Sequence, residues 1–303
     1  MKLIYTALRE MAKSRRIAYP MLCQQYAMER FLFRLGNSRY ANHFYLKGGM
    51  LLLVFGAPAA RPTLDIDLLG NVSNSAEGLI KIFKGILLSA TGVRDGVSFS
   101  LDVQVSDIIK EAEYVGKRIL FSADIQGEKF QMKIDIGFGD SIHPEPCQMD
   151  FPSLIDVLPP IRIFCYTTES LIAEKWQAMI SLGSFNSRMK DFYDIWMLSR
   201  SRKFNGNRLR EAVYKTFKVR HTDIAQWKRL TDETYLKIQQ PKWTSFLSKM
   251  KASLFQRNIK VDLPSKNFVE MMDDVLEFLA PIMNQEMSVG LWEPKKGWSH
   301  FFK

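Results

Sequence analysis

The sequence contains few of the cysteine and histidine residues that cross-link small folds or bind transition metals. It has three cysteines and four histidines in 303 residues, with no CxxC pair and no spacing typical of a metal site. This composition argues against a disulfide framework or a zinc site as the basis of the fold. The simplest interpretation is a protein of a reduced, intracellular setting.

Long apolar runs are also missing. A membrane-spanning helix needs roughly 18 uninterrupted apolar residues, and the sequence contains no such stretch. The N-terminal residues mix charges with apolar positions, unlike a signal peptide. We therefore expect a cytoplasmic protein with no membrane partner, and the hydrophobic content of 47% is enough for a globular core.

Acidic residues are scarce in one region. Residues 202–260 contain 15 Lys and Arg against four Asp and Glu, a local excess of +11, whereas residues 1–201 carry a net +2. The basic region therefore favours an acidic partner such as RNA. Its aromatic rings either stack on single-stranded bases or belong to a helix core, and core is the more common role. These residues are Tyr214, Phe217, Trp227, Tyr235, Trp243, Phe246 and Phe255.

Hydrophobic periodicity predicts an α+β protein with two lobes. We expect residues 1–160 to form an N-terminal lobe with a mixed β-sheet flanked by helices, and residues 161–303 to form an α-helical lobe. Five prolines between residues 140 and 160 predict a linker without regular structure. Alternation of apolar and polar residues predicts strands over residues 97–105, 118–125 and 129–138.

A glycine pair precedes a predicted short helix over residues 50–55. Gly48 and Gly49 allow a ligand to approach the backbone, because no Cβ intervenes. The first amides of the helix that follows are unpaired donors at its positive end. We expect an anion such as a phosphate to bind there.

Carboxylates lie on two of the predicted strands. Asp65 and Asp67 are separated by one residue, so on a strand both side chains project from the same face. Two oxygen ligands on one face suit Mg²⁺, which a triphosphate then bridges. Asp135 lies on the polar face of the predicted strand 129–138, and its strand position makes it a candidate third ligand.

A second set of charged residues lies on the predicted helices of the C-terminal lobe. Lys175 occupies an apolar helix face, where it either extends to the surface or contacts the β- or γ-phosphate of a nucleotide. Asp191 and Asp194 are three residues apart and share one face of the next helix. We expect them to hold Lys175 in place or to accept a proton from an attacking hydroxyl.

Together these segments resemble the AbiEii/AbiGii toxin family of nucleotidyltransferases, which includes the MenT-type toxins. The ordered set, which spans residues 47–194, is much more specific than any one member. The resemblance implies an N-terminal nucleotidyltransferase lobe like that of DNA polymerase β, with magnesium bound by the Asp-x-Asp carboxylates. The matching segments are Lys47–Leu51 (KGGML), Arg61–Asp67 (RPTLDID), Ala173–Lys175 (AEK) and Arg188–Asp194 (RMKDFYD).

The resemblance also assigns roles to individual positions. The expected metal ligands are Asp65 and Asp67, with Asp135 added on strand position alone. The expected catalytic residues are Asp65, Asp67, Lys175 and Asp191. The expected nucleotide-binding residues are Lys47, Gly48, Gly49, Arg61, Lys175 and Arg188.

Members of the family are toxins of bacterial toxin–antitoxin and phage-abortive systems, and some resemble transfer-RNA-modifying enzymes. We therefore expect a toxin that transfers a nucleotide from a nucleoside triphosphate to RNA, with the tRNA acceptor end favoured, and that stops translation. A cognate antitoxin is an expected partner. Two alternatives stay open: nucleotide transfer to a protein or small-molecule hydroxyl, and a non-catalytic nucleic-acid-binding protein.

Overall fold

The computed structural model describes residues 2–56, 63–89, 92–108, 116–284 and 289–299. The chain divides into two compact units, each described by itself below. Unit 1 consists of Met1–Gly139, Pro146–Tyr166 and Gln256–Ile259, and unit 2 consists of Asp140–Glu145, Thr167–Phe255 and Lys260–Lys303.

Unit 1 contains four helices and eight strands in its described residues. The helices are α1 (Lys2–Ser14), α2 (Tyr19–Gly36), α3 (Gly48–Val54) and α4 (Ala76–Leu87). The strands are β1 (Phe44–Lys47), β2 (Ile66–Gly70), β3 (Ser98–Phe99), β4 (Gln104–Ile108), β5 (Gly116–Ile125), β6 (Glu128–Phe138), β7 (Cys147–Phe151) and β8 (Ile161–Cys165).

The strands of unit 1 form one mixed sheet, as the sequence predicts. Its order is β3-β5-β6-β2-β1-β8-β7, with β4 also paired to β5. The pairs β2–β6 and β1–β8 are parallel, and the other pairs are antiparallel. Helix α2 is buried on most of its surface, and its Phe31 ring stacks on Phe83 of α4 at 5.9 Å between centroids. The core of unit 1 therefore includes the α2–α4 contact.

Two predictions about strands were wrong in part. Residues 97–105 form two short strands instead of one, because the Ser100 hydroxyl accepts a hydrogen bond from the Asp102 amide and turns the chain between β3 and β4. The proline-rich stretch from residue 140 to 160 contains strand β7, which fits between Pro146 and Pro152 because its five residues include no proline.

Unit 2 is mainly helical and adds a small sheet that the sequence did not predict. Hydroxyl and amide side chains cap several helices, including Thr167 before α5 and Asn267 before α9. The helices are α5 (Thr168–Leu182), α6 (Met189–Ser201), α7 (Gly206–Val219), α8 (Glu233–Gln256) and α9 (Phe268–Met283). The strands β9 (Phe204–Asn205), β10 (Leu291–Glu293) and β11 (Gly297–Trp298) pair in the order β11-β10-β9.

The division between the units differs from the predicted limit at residues 160 and 161. Strand β8 pairs with β1, so Ile161–Cys165 belongs to the sheet of unit 1 and the helical part begins at Thr167. The six residues Asp140–Glu145 belong to unit 2. No helix in the described part of the chain is long and apolar enough to cross a membrane.

Candidate active site

A row of four charged side chains, two carboxylates between two cations, crosses four neighbouring strands of the unit 1 sheet. Lys47 of β1 is the register partner of Asp67 of β2, and Asp67 is the partner of Asp135 of β6. Asp135 is in turn the partner of Arg118 of β5. Because register partners project from the same face, these four side chains lie on one face of the sheet, and all four are half-buried.

The glycine turn lies directly beside one of these carboxylates. Gly48 has φ of +67°, and an ideal Cβ built on it would lie 2.0 Å from Asp67 Oδ2. Only glycine suits this position, for two reasons. The left-handed backbone conformation is unfavourable for residues with a side chain, and a Cβ would clash with the carboxylate. The predicted proximity of the glycine pair and Asp67 is therefore present.

Helix α3 starts at Gly48, two residues before the predicted start, and is seven residues long. Its N-cap residue, Lys47, makes no capping hydrogen bond with its side chain. A lysine side chain has no acceptor and cannot cap the amides of the first turn, which are the kind of donors that bind a phosphate oxygen. The Lys47 ammonium lies 5.3 Å from the centroid of the Tyr166 ring, in a cation–π contact.

Two carboxylates of the face are held by cations of a neighbouring strand. Lys133 Nζ lies 2.9 Å from Asp65 Oδ2. Arg118 donates two hydrogen bonds to Asp135, each 2.8 Å long, from Nε and Nη2. Asp67 has no hydrogen-bond or ion-pair partner among the described residues.

These donors fit a magnesium ion. Magnesium is usually held by one or two carboxylates together with water and substrate phosphates, not by a complete protein cage. Asp65 and Asp67 would supply two hard oxygen ligands, with Asp67 beside the glycine turn. In the described residues no three His, Cys, Asp or Glu side chains form a metal-binding group. The other ligands would come from the nucleotide and water, and Asp135 stays a predicted third ligand.

The second predicted set forms a buried cluster in unit 2. Lys175 Nζ of α5 lies 2.6 Å from Asp191 Oδ1 and 2.8 Å from Asp194 Oδ2, both on α6. Arg188 Nε lies 2.7 Å from Asp191 Oδ2. The side chain of Lys175 is 7% exposed and those of the two aspartates are at most 1% exposed, whereas that of Arg188 is 43% exposed. Lys175 therefore does not extend to the surface.

The electrostatics of this cluster favour one of the two predicted roles of Asp191. Burial alone would raise the pKa of Asp191, but the charges of Lys175 and Arg188 outweigh it and lower the pKa below its usual value. A carboxylate with a lowered pKa is a weak proton acceptor near neutral pH. The arrangement favours holding Lys175 over accepting a proton.

Three of the seven aromatic rings of the basic region are core residues. Phe217, Tyr235 and Trp243 are buried, so bases have no access to them. Phe255 is 88% exposed, and Tyr214, Trp227 and Phe246 are half-buried.

One predicted nucleotide contact, Arg61, lies outside the described residues. Two cations of the site were not predicted from the sequence, Arg118 and Lys133. Lys133 had a usable signal, because it lies two residues before Asp135 and so shares its face of the strand. Arg118 had none, because its register with Asp135 is set by strand pairing.

Neighbouring carboxylates beside a glycine turn place anionic oxygens and backbone amides close together on one sheet face. The model of the nucleotidyl transferase AbiEii toxin family, of type IV toxin–antitoxin systems, matches residues 30–272. That range is more than half of the chain. The protein therefore belongs to the AbiEii family and is a nucleotidyltransferase.

Two crystal structures from Helicobacter pylori are similar to the chain. One is of a protein named as a nucleotidyltransferase, with 15% sequence identity, 86% of this chain and 92% of that chain covered, and a TM-score of 0.47. The other is of JHP933, with 15% identity, 87% and 90% covered, and a TM-score of 0.42. No curated protein matches the chain.

Proposed function

We propose that this nucleotidyltransferase is a magnesium-dependent toxin that transfers a nucleotide from a nucleoside triphosphate to RNA, at the acceptor end of tRNA, and so blocks translation. An antitoxin is its expected protein partner. The observation that carries the proposal is the close approach of the Gly48 turn to the Asp67 carboxylate on the sheet face.

The residues of unit 1 have distinct tasks in this proposal. Asp65 and Asp67 would hold the magnesium ion, and the amides of Gly48 and Gly49 would bind phosphate oxygens. Lys47 adds a positive charge next to the same turn. When bound, the ion offsets negative charge on the phosphates as the acceptor hydroxyl attacks the α-phosphate and pyrophosphate leaves.

Metal binding at Asp65 requires that its ion pair with Lys133 opens. The side chains of Asp65 and Lys133 are 44% and 31% exposed, and exposed ion pairs contribute only about 0–1 kcal/mol. A divalent ion can therefore displace Lys133 at little cost. Once released, the Lys133 ammonium stays on the same face as the phosphates.

In unit 2, Lys175 is proposed as a nucleotide contact and Asp191 as the carboxylate that orients it. Their ion pair fixes the position of the ammonium, since both side chains are buried. Arg188 is proposed as a second nucleotide contact, because its side chain is only partly buried while its Nε is held by Asp191.

The choice of RNA rests on the basic region. Many of its cations are exposed, including Arg208, Lys218, Lys228, Arg229 and Lys249. Such side chains can neutralise backbone phosphates, and binding that depends on them weakens steeply as salt concentration rises.

The test is to incubate the purified protein with each labelled nucleoside triphosphate, magnesium and total tRNA. We expect label on tRNA, loss of label when magnesium is chelated, and a transfer rate that falls steeply with salt. Asp65→Ala should lower transfer by at least about a hundredfold while circular dichroism shows an intact fold. Glu128→Ala, which alters a carboxylate at the far end of β6, is the matched control.

Three outcomes would contradict the proposal. Undiminished transfer by Asp65→Ala would remove the assigned role of that carboxylate. Label on protein or small molecules but not on RNA would favour the alternative acceptor. RNA binding without transfer of any nucleotide would favour a non-catalytic binding protein.

A further inference from the structure

Two of the three cysteines lie directly opposite each other in the sheet of unit 1. Strands β7 and β8 are antiparallel, and the register partner of Cys147 is Cys165. Both thiols are free. Opposed residues of an antiparallel pair have Cα atoms about 4.5 or 5.5 Å apart, and a disulfide spans Cα separations of about 4.4–6.8 Å. The backbone therefore accommodates a bond between them.

The same strand pair shows that partners share a face. Asp150 is opposite Arg162, and their side chains form an ion pair with Nε 3.2 Å from Oδ1. Cys147 and Cys165 lie an odd number of residues from that pair, so their side chains project together from the other face. That face also carries Phe151 and Ile161, both buried.

The two thiols differ in access. Cys147 is the first residue of the edge strand β7 and is exposed, whereas Cys165 is buried. Burial, with a smaller effect of the neighbouring Cys147, raises the pKa of Cys165 to about 12. A solvent-borne oxidant therefore reaches Cys147 first, and Cys165 is the thiol within reach of the oxidised sulfur.

We propose that Cys147 and Cys165 form a thiol-oxidation site that closes to a disulfide in the presence of a peroxide. The Cys147 thiolate attacks a peroxide oxygen, an S–O bond forms, the O–O bond breaks, and the leaving hydroxide takes a proton to become water. The Cys165 sulfur then attacks the Cys147 sulfur, an S–S bond forms, and the S–O bond breaks. The leaving hydroxide takes the Cys165 proton. Overall, two thiols and hydrogen peroxide give one disulfide and two waters.

The position of the bond gives it a structural consequence. Cys165 is also the parallel register partner of Leu46 in β1, and Leu46 is followed directly by Lys47 and Gly48. The disulfide would therefore tie the edge strand β7 to the strand that pairs with β1. The proposal itself does not depend on the proposed function.

The test uses the full-length protein, first reduced and freed of reductant, then treated with hydrogen peroxide, alkylated and digested with trypsin. Cleavage after Arg162 separates peptide 134–162, with Cys147, from peptide 163–175, with Cys165. We expect these two peptides to be joined by a bond that reductant breaks. Cys23→Ser is the matched control and should give the same linked pair.

A second variant identifies the order of events. Cys165→Ala should leave a sulfenic acid on Cys147 that dimedone captures. The proposal is overturned if peroxide converts Cys147 of the folded wild-type protein to sulfinic acid while Cys165 stays free to be alkylated after unfolding. A link between the Cys147 residues of two chains, without the linked pair, would overturn it as well.

Discussion

The predicted charged sets of the two units, on the sheet of unit 1 and around Lys175 in unit 2, differ in their access to water. On the sheet of unit 1, the Asp65–Lys133 pair is 44% and 31% exposed. In unit 2, the Lys175 side chain is 7% exposed, and its partners Asp191 and Asp194 are at most 1% exposed. The unit 1 charges are therefore open to exchange with a ligand, whereas the unit 2 charges depend on one another.

Burial sets how much each charge contributes. An exposed pair adds about 0–1 kcal/mol to stability, because water replaces either partner at little cost. Removing one partner of a buried pair leaves an uncompensated charge in a low-dielectric interior. The comparison teaches that the same residue types form an open ion pair that can exchange in one unit and a buried, mutually dependent cluster in the other.

The largest expected effect on stability is at the buried cluster of Lys175, Asp191 and Asp194, called the sealed cluster below. Lys175→Met leaves the carboxylates of Asp191 and Asp194 without their shared cation, so we expect a loss of about 3–5 kcal/mol in the free energy of unfolding. Urea denaturation of the full-length protein measures it. Lys133→Met, in the open pair, is the matched control and should cost less than about 1 kcal/mol.

Adding Asp191→Asn and Asp194→Asn to Lys175→Met should recover part of the lost stability, since the uncompensated charges are then gone. Equal losses in the two lysine variants would break the distinction between the open and the sealed charges.

The second prediction tests whether burial of a charged group, whichever unit it belongs to, decides how much that group changes the free energy of unfolding. Glu29 of unit 1 is buried, and it accepts hydrogen bonds from Ser153 Oγ at 2.9 Å and from the Leu154 amide at 2.8 Å. Burial raises its pKa to about 7 from 4.5, against the lowering effects of these hydrogen bonds and of Arg30. The folded protein therefore holds a proton there more tightly than the unfolded chain does.

Because the folded pKa is the higher one, the associated stability is fully present below about pH 4.5 and is lost as pH rises to about 7. The loss is about 3 kcal/mol over that window. Glu29→Gln cannot ionise, so its unfolding free energy should lack this decline. Urea titrations at several pH values compare the two proteins, and parallel pH profiles would contradict the prediction.

A smaller effect is expected at the glycine turn. Gly48→Ala places a Cβ in the left-handed region, which costs about 1–2 kcal/mol, and against the Asp67 carboxylate. Gly127→Ala is the matched control, since Gly127 also has a positive φ, of +84°, but no described atom lies within 4 Å of the position that a Cβ would take there. We expect similar backbone costs, with nucleotide transfer lost only in Gly48→Ala. Full nucleotide transfer by Gly48→Ala would show that the glycine turn is not part of the active site.

The smallest effect is expected at the Arg118–Asp135 pair. Its side chains are 36% and 22% exposed, so Asp135→Asn should change the unfolding free energy by less than about 1 kcal/mol. A double-mutant cycle with Arg118→Gln measures the coupling. If Asp135 is the third metal ligand, Asp135→Asn will also raise the magnesium concentration needed for transfer. An unchanged magnesium requirement will show that Asp135 only pairs with Arg118 and does not bind the metal.

Much of the fold followed from local patterns. The alternation over residues 129–138 predicted β6 to within one residue. The helix starts predicted at Thr168 and Asn267 were also found, because capping depends on neighbouring residues; the cap of α5 is Thr167, one residue before its predicted start. The strands that were missed or broken are short and owe their existence to pairing partners; they are β7, β3–β4 and the small sheet β9–β11.

The candidate site was predictable in its carboxylates and glycines but not in its cations. The predicted strand began at residue 64, but β2 begins at Ile66, so Asp67 lies in the strand and Asp65 directly before it, where it contacts Lys133 of β6. Arg118 and Lys133 reach Asp135 and Asp65 only through the parallel pairing of β2 with β6 and the hairpin of β5 with β6.

The sequence by itself determined the family and the α+β class and supplied the candidate site residues, because motifs, periodicity and helix caps are local properties of the chain. Only the tertiary structure decided which charges are open and which are sealed, and that Cys147 faces Cys165. Register and burial arise from segments far apart in sequence, so no local pattern encodes them.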